Sequence, residues 1–149
     1  MAARTASAVW EGDLKSGKGR MKLGSGAYEG NYSFSSRFES GEGTNPEELI
    51  GAAHAGCFSM AFAHMMSGKG FVPMSVKTTA SVKLEKVGEG FKITGIDLQT
   101  EADVPGIDQK TFMELAESAK KNCPVSQALA GTEIKLQAKL VGEQQKAGV

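Results

Sequence analysis

The sequence predicts an α+β fold: antiparallel sheets wrapped around a buried central helix, with a second, amphipathic helix. Three stretches predict it. Residues 75–87 alternate, with Val76, Thr78, Ala80, Val82 and Leu84 on one face and Lys77, Thr79, Ser81, Lys83 and Glu85 on the other. That period marks a half-buried strand. Residues 49–66 carry apolar or small side chains on nearly every side, and a helix apolar all round is expected to be buried all round. Phe112, Leu115, Ala116 and Ala119 form a single apolar stripe at helical spacing.

The elements follow in order. Residues 5–10 and 20–23 are predicted as short strands around a glycine-bearing turn at 12–19, and residues 32–38 as a third strand after the turn region 24–30. Glu39 to Thr44 is polar and holds Gly41 and Gly43, so it is read as a loop. Asn45 can cap the central helix, Pro46 fits its first position, and Glu47 and Glu48 suit its first turn. Ser67-Gly68-Lys69-Gly70 stops it.

After the alternating strand, Gly88-Glu89-Gly90 predicts a hairpin turn. Residues 91–104 return with Ile96, Leu98, Thr100, Ala102 and Val104 in phase. Ile93 is out of phase, which a bulge near Gly95 would reconcile. Asp108 can cap the amphipathic helix, and Asn122-Cys123-Pro124 breaks it. A short helical turn over 124–129 and a last strand over 132–141 follow, and residues 143–149 read as a frayed tail.

The chain has 149 residues, which predicts one domain over 1–149. Hydrophobic residues make up 40% and charged residues 23%, ordinary for a globular protein. Lys plus Arg balances Asp plus Glu at 17 each. No basic field is present to attract nucleic acid or an anionic membrane, so neither is expected as a partner. The longest apolar stretch is interrupted by Gly51, His54, Gly56, Ser59 and His64, and the N-terminus lacks the pattern of a signal peptide. A cytoplasmic location is expected. In that compartment the two cysteines are not expected to form a structural disulfide.

The chemistry-bearing residues each have two readings. Cys57 lies inside the central helix, where a cysteine is commonly a small core hydrophobe. The dipole at the helix start fades within the first turn, so a reactive thiolate there needs a cation from elsewhere. Cys123 sits at a junction before Pro124, either as a mobile thiol or as a buried cap. Arg37 precedes the loop to the central helix and can reach inward or remain a solvated charge. Glu48 can simply complete the helix cap. His54, three residues before Cys57, could pair with it, but a bond to a backbone carbonyl is favoured. The two cysteines and two histidines match no zinc pattern, there is no Cys-x-x-Cys, and the glycine-rich stretches lack a phosphate-loop ending. No metal and no cofactor are expected.

Three blocks resemble a known family. They are Arg37-Phe38-Glu39, the run from Gly43-Thr44-Asn45-Pro46-Glu47-Glu48 through Ala53-His54-Ala55-Gly56-Cys57-Phe58-Ser59-Met60, and Asn122-Cys123-Pro124-Val125-Ser126. Val9-Trp10-Glu11-Gly12 and Val104-Pro105-Gly106-Ile107 also fit. Together they resemble the OsmC branch of the OsmC/Ohr proteins over residues 7–141. The resemblance implies an intertwined homodimer that reduces hydroperoxides, organic ones especially and hydrogen peroxide less well. It implies catalytic roles for Cys57, Cys123, Arg37 and Glu48. Cys57 thiolate would attack the peroxide, Arg37 would stabilise charge, Glu48 would fix the guanidinium, and Cys123 would close a disulfide with Cys57. An external dithiol, of the lipoyl type in this family, would reduce it. The alternatives are a general dithiol–disulfide oxidoreductase and a non-enzymatic binding dimer with inert thiols.

One geometric expectation follows. Glu48 precedes Cys57 by nine residues, about 900° of rotation and ~13.5 Å of rise on one straight helix. Their side chains would then point to opposite faces. The small residues Gly51, Ala52, Ala53, Ala55 and Gly56 would let a second helix cross closely. The expectation is a two-fold dimer in which Arg37 and Glu48 of one chain complete the site holding Cys57 and Cys123 of the other.

Overall fold

The computed structural model describes residues 3–142, which divide into two compact units, the first up to Leu49 and the second from Ile50 onward. The architecture is α+β, and among the described residues the strands form two three-stranded sheets. The expected tail at 143–149 lies outside the described residues.

In the first unit, β1 (Ala6–Glu11), β2 (Lys18–Leu23) and β3 (Glu29–Tyr32) form an antiparallel meander. Trp10 pairs with Gly19, and Gly19 with Tyr32. The two rings close over that glycine with centroids 5.4 Å apart. A Cβ on Gly19 would lie 2.5 Å from Tyr32 Cε1 and 2.6 Å from Trp10 Cε3, so a side chain there would force the rings apart.

The strand expected over 32–38 is corrected. The sheet ends at Tyr32, and Phe34–Phe38 is a short helix, α1. Ser33 and Ser36 form a reciprocal capping box, each hydroxyl taking the other's backbone N–H. Phe34 and Phe38, one helical turn apart, bring their rings to 4.9 Å. Alternating aromatics mimicked a strand, but the two serines satisfy the first-turn amides and select the helix.

Helix α2 (Pro46–Gly68) runs 23 residues without interruption. Asn45 caps it as expected, its Oδ1 accepting from the Glu48 amide at 2.7 Å. By length and composition alone it could cross a bilayer. In the second unit, however, its stripe of His54, Phe58, Phe62 and Met66 is buried in the core. The expectation of burial all round is corrected. Ala52, Ala53, Gly56, Met60 and His64 are exposed on the remaining surface, with Met60 76% accessible. One sheet can cover only one face of a helix.

That sheet contains β4 (Ser75–Val87), β5 (Gly90–Asp103) and β6 (Glu133–Val141). Val87 pairs with Gly90, so Gly88 and Glu89 make the turn, with Gly88 at φ +63°. Lys83 pairs with Gly95 but Leu84 pairs with Ile93. The one extra residue is Thr94, and this bulge brings Ile93 and Ile96 into phase.

β6 pairs with β5 in parallel, which corrects the expectation of antiparallel pairing throughout. Between them lie α3 (Gln109–Asn122) and α4 (Pro124–Ala128), a helical crossover that returns the chain in the same direction. Asp108 caps α3 by accepting from the Thr111 amide at 2.9 Å. Phe62 bridges the layers, its ring 5.6 Å from that of Phe58 and 5.2 Å from that of Phe112. Ile96, Leu98, Ala102 and Leu140 complete the same core. Such burial stabilises by roughly 1.5–3 kcal/mol per large side chain.

Candidate active site

Cys57 and Cys123, far apart in sequence, meet in the second unit. Cys57 follows His54 by three residues on α2, beside the buried stripe, and is half-buried. Cys123 ends α3 and opens α4. Pro124 at the start of α4 holds it extended, at φ −57° and ψ 131°. Its sulfur caps the new helix, accepting from the Ser126 amide at 3.4 Å. Cys123 is therefore a buried cap at the junction of the two helices. Both thiols are free, and their sulfurs stand 3.1 Å apart. Once one sulfur has been oxidised, an approach of about 1 Å would bring the pair to disulfide length.

The two thiols titrate as a pair. Burial pushes the Cys57 thiol up; the Val125 amide offsets this in part, while Cys123 adds to it. Burial also works to raise Cys123, but the Ser126 hydroxyl and amide, the Val125 amide and Cys57 together hold it below the ordinary thiol value.

His54 is fully buried, and burial lowers its pKa, favouring the neutral ring. It does not bond a backbone carbonyl, as the sequence had favoured. Its Nε2 lies 2.7 Å from Ser126 Oγ. Its buried Nδ1 has no hydrogen-bond partner among the described residues.

The second cluster is in the first unit. Arg37 stands in the last turn of α1 and forks onto a carboxylate, with Nε donating to Oε1 at 3.0 Å and Nη2 to Oε2 at 2.8 Å. That carboxylate belongs to Glu47. The expected Glu48 is elsewhere, its Oε2 accepting from Thr44 Oγ1 at 2.7 Å. The reason is helical phase. Consecutive residues differ by about 100° around the axis, so Glu47 faces α1 while Glu48 returns toward the residue before the cap. The loop is pinned by Ser36 Oγ donating to the Thr44 carbonyl at 2.7 Å and Asn45 Nδ2 to the Ser36 carbonyl at 3.1 Å. Glu47 is mostly buried and Arg37 half so. A bidentate pair of this kind fixes the plane of the guanidinium.

Beside the guanidinium is a cavity of about 230 Å³, lined by Trp10, Leu14, Tyr32, Phe34 and Phe38 together with Arg37. The Phe38 ring lies 5.4 Å from Arg37 Cζ, within cation–π range.

Residues 39–139 match the family model for OsmC-like protein. The chain is 55% identical to peroxiredoxin OsmC of Escherichia coli over 123 residues, 82% of this chain and 86% of that one.

The chain belongs to the OsmC family.

It is also 36% identical, over 61% of its length and 63% of the relative's, to an organic hydroperoxide resistance protein of Xanthomonas axonopodis pv. citri. A solved structure of an organic hydroperoxide resistance protein OsmC from Legionella pneumophila superposes with a TM-score of 0.70 at 26% identity, covering 93% of this chain and 99% of that one. In this OsmC-family chain two residues of interest were missed by sequence reasoning. Glu47 was read only as a first-turn acid. Counting from the Asn45 cap would have assigned Glu48 to the capping position and left Glu47 free. Ser126 stood only as the last residue of the 122–126 block and was given no role, because its partner His54 comes from a distant segment.

Proposed function

We propose that this chain is a thiol-dependent peroxidase that reduces organic hydroperoxides, and hydrogen peroxide less well, through Cys57 and Cys123. The observation that carries the assignment is the pair of free sulfurs 3.1 Å apart, one half-exposed and one buried. The half-exposed Cys57 is the one peroxide can reach. Its thiolate attacks one peroxide oxygen, the O–O bond breaks, and the alkoxide leaves as alcohol after taking a proton. Cys57 becomes a sulfenic acid. Cys123 then attacks the Cys57 sulfur, and water leaves as the disulfide closes. An external dithiol, of lipoyl type, restores both thiols. Relatives named peroxiredoxin OsmC and organic hydroperoxide resistance protein support the same reading.

The activating cation is Arg37, held in plane by Glu47. It would stabilise the Cys57 thiolate and the charge moving onto the leaving oxygen. Two observations support its delivery from a second copy of the chain. Burial raises the Cys57 pKa within one chain, so its thiolate needs added stabilisation. Glu47 precedes Cys57 by ten residues on one unbroken helix, about 15 Å of rise. The uncovered face of α2, with its small residues and the exposed Met60, is the surface offered to that copy. The homodimer is thus part of the catalytic proposal. Two thiols kept free also suit a cytoplasmic location.

The test is steady-state turnover of an organic hydroperoxide and of hydrogen peroxide with dihydrolipoamide as reductant. Consumption of both, faster for the organic one, is expected. Reduction of protein disulfides without peroxide consumption would establish the oxidoreductase alternative instead.

A further inference from the structure

The buried polar groups behind the thiols have no part in the peroxidase cycle as described. His54 on α2 and Ser126 on α4 are both buried and meet at 2.7 Å. Ser126 in turn caps onto Cys123, donating its amide to the sulfur at 3.4 Å. Its hydroxyl also lowers the Cys123 pKa, as a donor to the sulfur does. A hydroxyl has one proton. If that proton points at Cys123, Ser126 Oγ must accept from His54, which places the imidazole proton on Nε2.

The unpartnered Nδ1 agrees. In this tautomer Nδ1 is a bare acceptor, whereas the other tautomer would bury an N–H with no acceptor. Buried orphan donors are rarer than under-satisfied acceptors. Burial favours the neutral ring, which can donate at Nε2 without carrying charge.

We propose that His54 and Ser126 form a positioning relay for the resolving thiol. His54 Nε2–H donates to Ser126 Oγ, and the Ser126 hydroxyl donates to Cys123 Sγ as that sulfur gains charge. The relay serves the disulfide-closing step and rests on the assignment of Cys57 as the oxidised thiol. In that step the Cys123 sulfur bonds the Cys57 sulfur and the Cys57 S–O bond breaks. Cys123 is oxidised, the sulfenic sulfur is reduced, and the Cys123 proton leaves with the sulfenic oxygen as water. The relay also aims the sulfur, since the amide of the same serine holds it at 3.4 Å.

The test separates the two chemical steps by rapid quench and mass analysis of full-length protein mixed with one equivalent of organic hydroperoxide. Sulfenic acid formation reads the peroxidase assignment, and disulfide closure reads the relay. Ser126→Ala and His54→Phe should each slow closure roughly ten- to a hundred-fold, the worth of a hydrogen bond to a charged group. His54→Gln, which keeps a donor near the Nε2 position, should recover most of the rate. Because the two residues act in series, the double variant should be no slower than Ser126→Ala alone. In a Cys57→Ser background the Cys123 thiol pKa should rise with Ser126→Ala and His54→Phe, and return with His54→Gln.

Ser126→Ala is a small truncation and keeps the test open if His54→Phe does not fold. Closure unchanged in Ser126→Ala, or His54→Gln as slow as His54→Phe, overturns the relay while leaving the peroxidase assignment standing. If no sulfenic acid forms at all, that assignment fails. The Cys123 titration then decides the relay by itself: a pKa that does not move overturns it.

Discussion

Arg37 and Glu47 form a two-pronged ion pair, with donor–acceptor distances of 3.0 and 2.8 Å. The neighbouring carboxylate, Glu48, is engaged by Thr44 instead. Two adjacent acids at a helix start thus have different tasks, because one helical step turns them to different faces.

Glu47→Gln should therefore slow oxidation of Cys57 by about ten-fold or more, since the amide loses a charged partner for the guanidinium. Glu48→Gln should leave that rate unchanged and cost at most about 1 kcal/mol of stability through the Thr44 contact. Single-turnover oxidation of both variants, with chemical denaturation alongside, checks this. A larger rate loss in Glu48→Gln would return the clamp to that residue.

The two thiols should separate cleanly by substitution. Cys57→Ser should abolish peroxide consumption. Cys123→Ser should oxidise once and stop at sulfenic acid, seen as one added oxygen by mass. A reversed outcome would exchange the roles of the half-exposed and buried sulfurs.

His54 should make the fold acid-sensitive. Burial holds its folded pKa below the ordinary 6.5. Below 6.5 the unfolded chain takes up a proton that the folded chain refuses. The stability from burying a neutral ring is therefore complete above that value and is lost as pH falls toward the folded pKa. The loss should approach about 1.4 kcal/mol per pH unit at most. Denaturation of wild type and His54→Gln at pH 7.5 and 5.5 checks it. The variant should lose less stability over that interval.

Sites shared between chains should complement. Cys57→Ser and Arg37→Met chains are each expected to be inactive alone. Co-refolded, their mixed dimers would hold one doubly defective and one intact site. Random pairing in a two-fold dimer should restore about a quarter of the sites. No activity in mixed dimers verified by native mass would place all the functional residues of a site on one chain.

Much of the fold was legible because it rests on local chemistry. The alternation of Val76 through Leu84, the Asn45-Pro46 helix start, the Asp108 cap and the out-of-phase Ile93 are recorded in neighbouring residues. The structure places a strand, two helix starts and a bulge where they indicate. Local patterns also misled. Phe34 and Phe38 fit a strand and a helix equally until the Ser33–Ser36 capping box is counted. No pattern in residues 132–141 says which direction β6 will run.

The sequence by itself determined the candidates: which cysteines, which arginine, and a helix too apolar to stand in water on all sides. Tertiary structure decided their partners. Only packing brought Cys123 against Cys57. Helical phase across a turn gave Arg37 to Glu47 rather than Glu48. The crossover through α3 and α4 delivered Ser126 to His54 and made β6 parallel. The physical reason is range. Caps, turns and periodicity are settled within a few residues, whereas hydrogen bonds between distant segments exist only after the hydrophobic core has set those segments side by side.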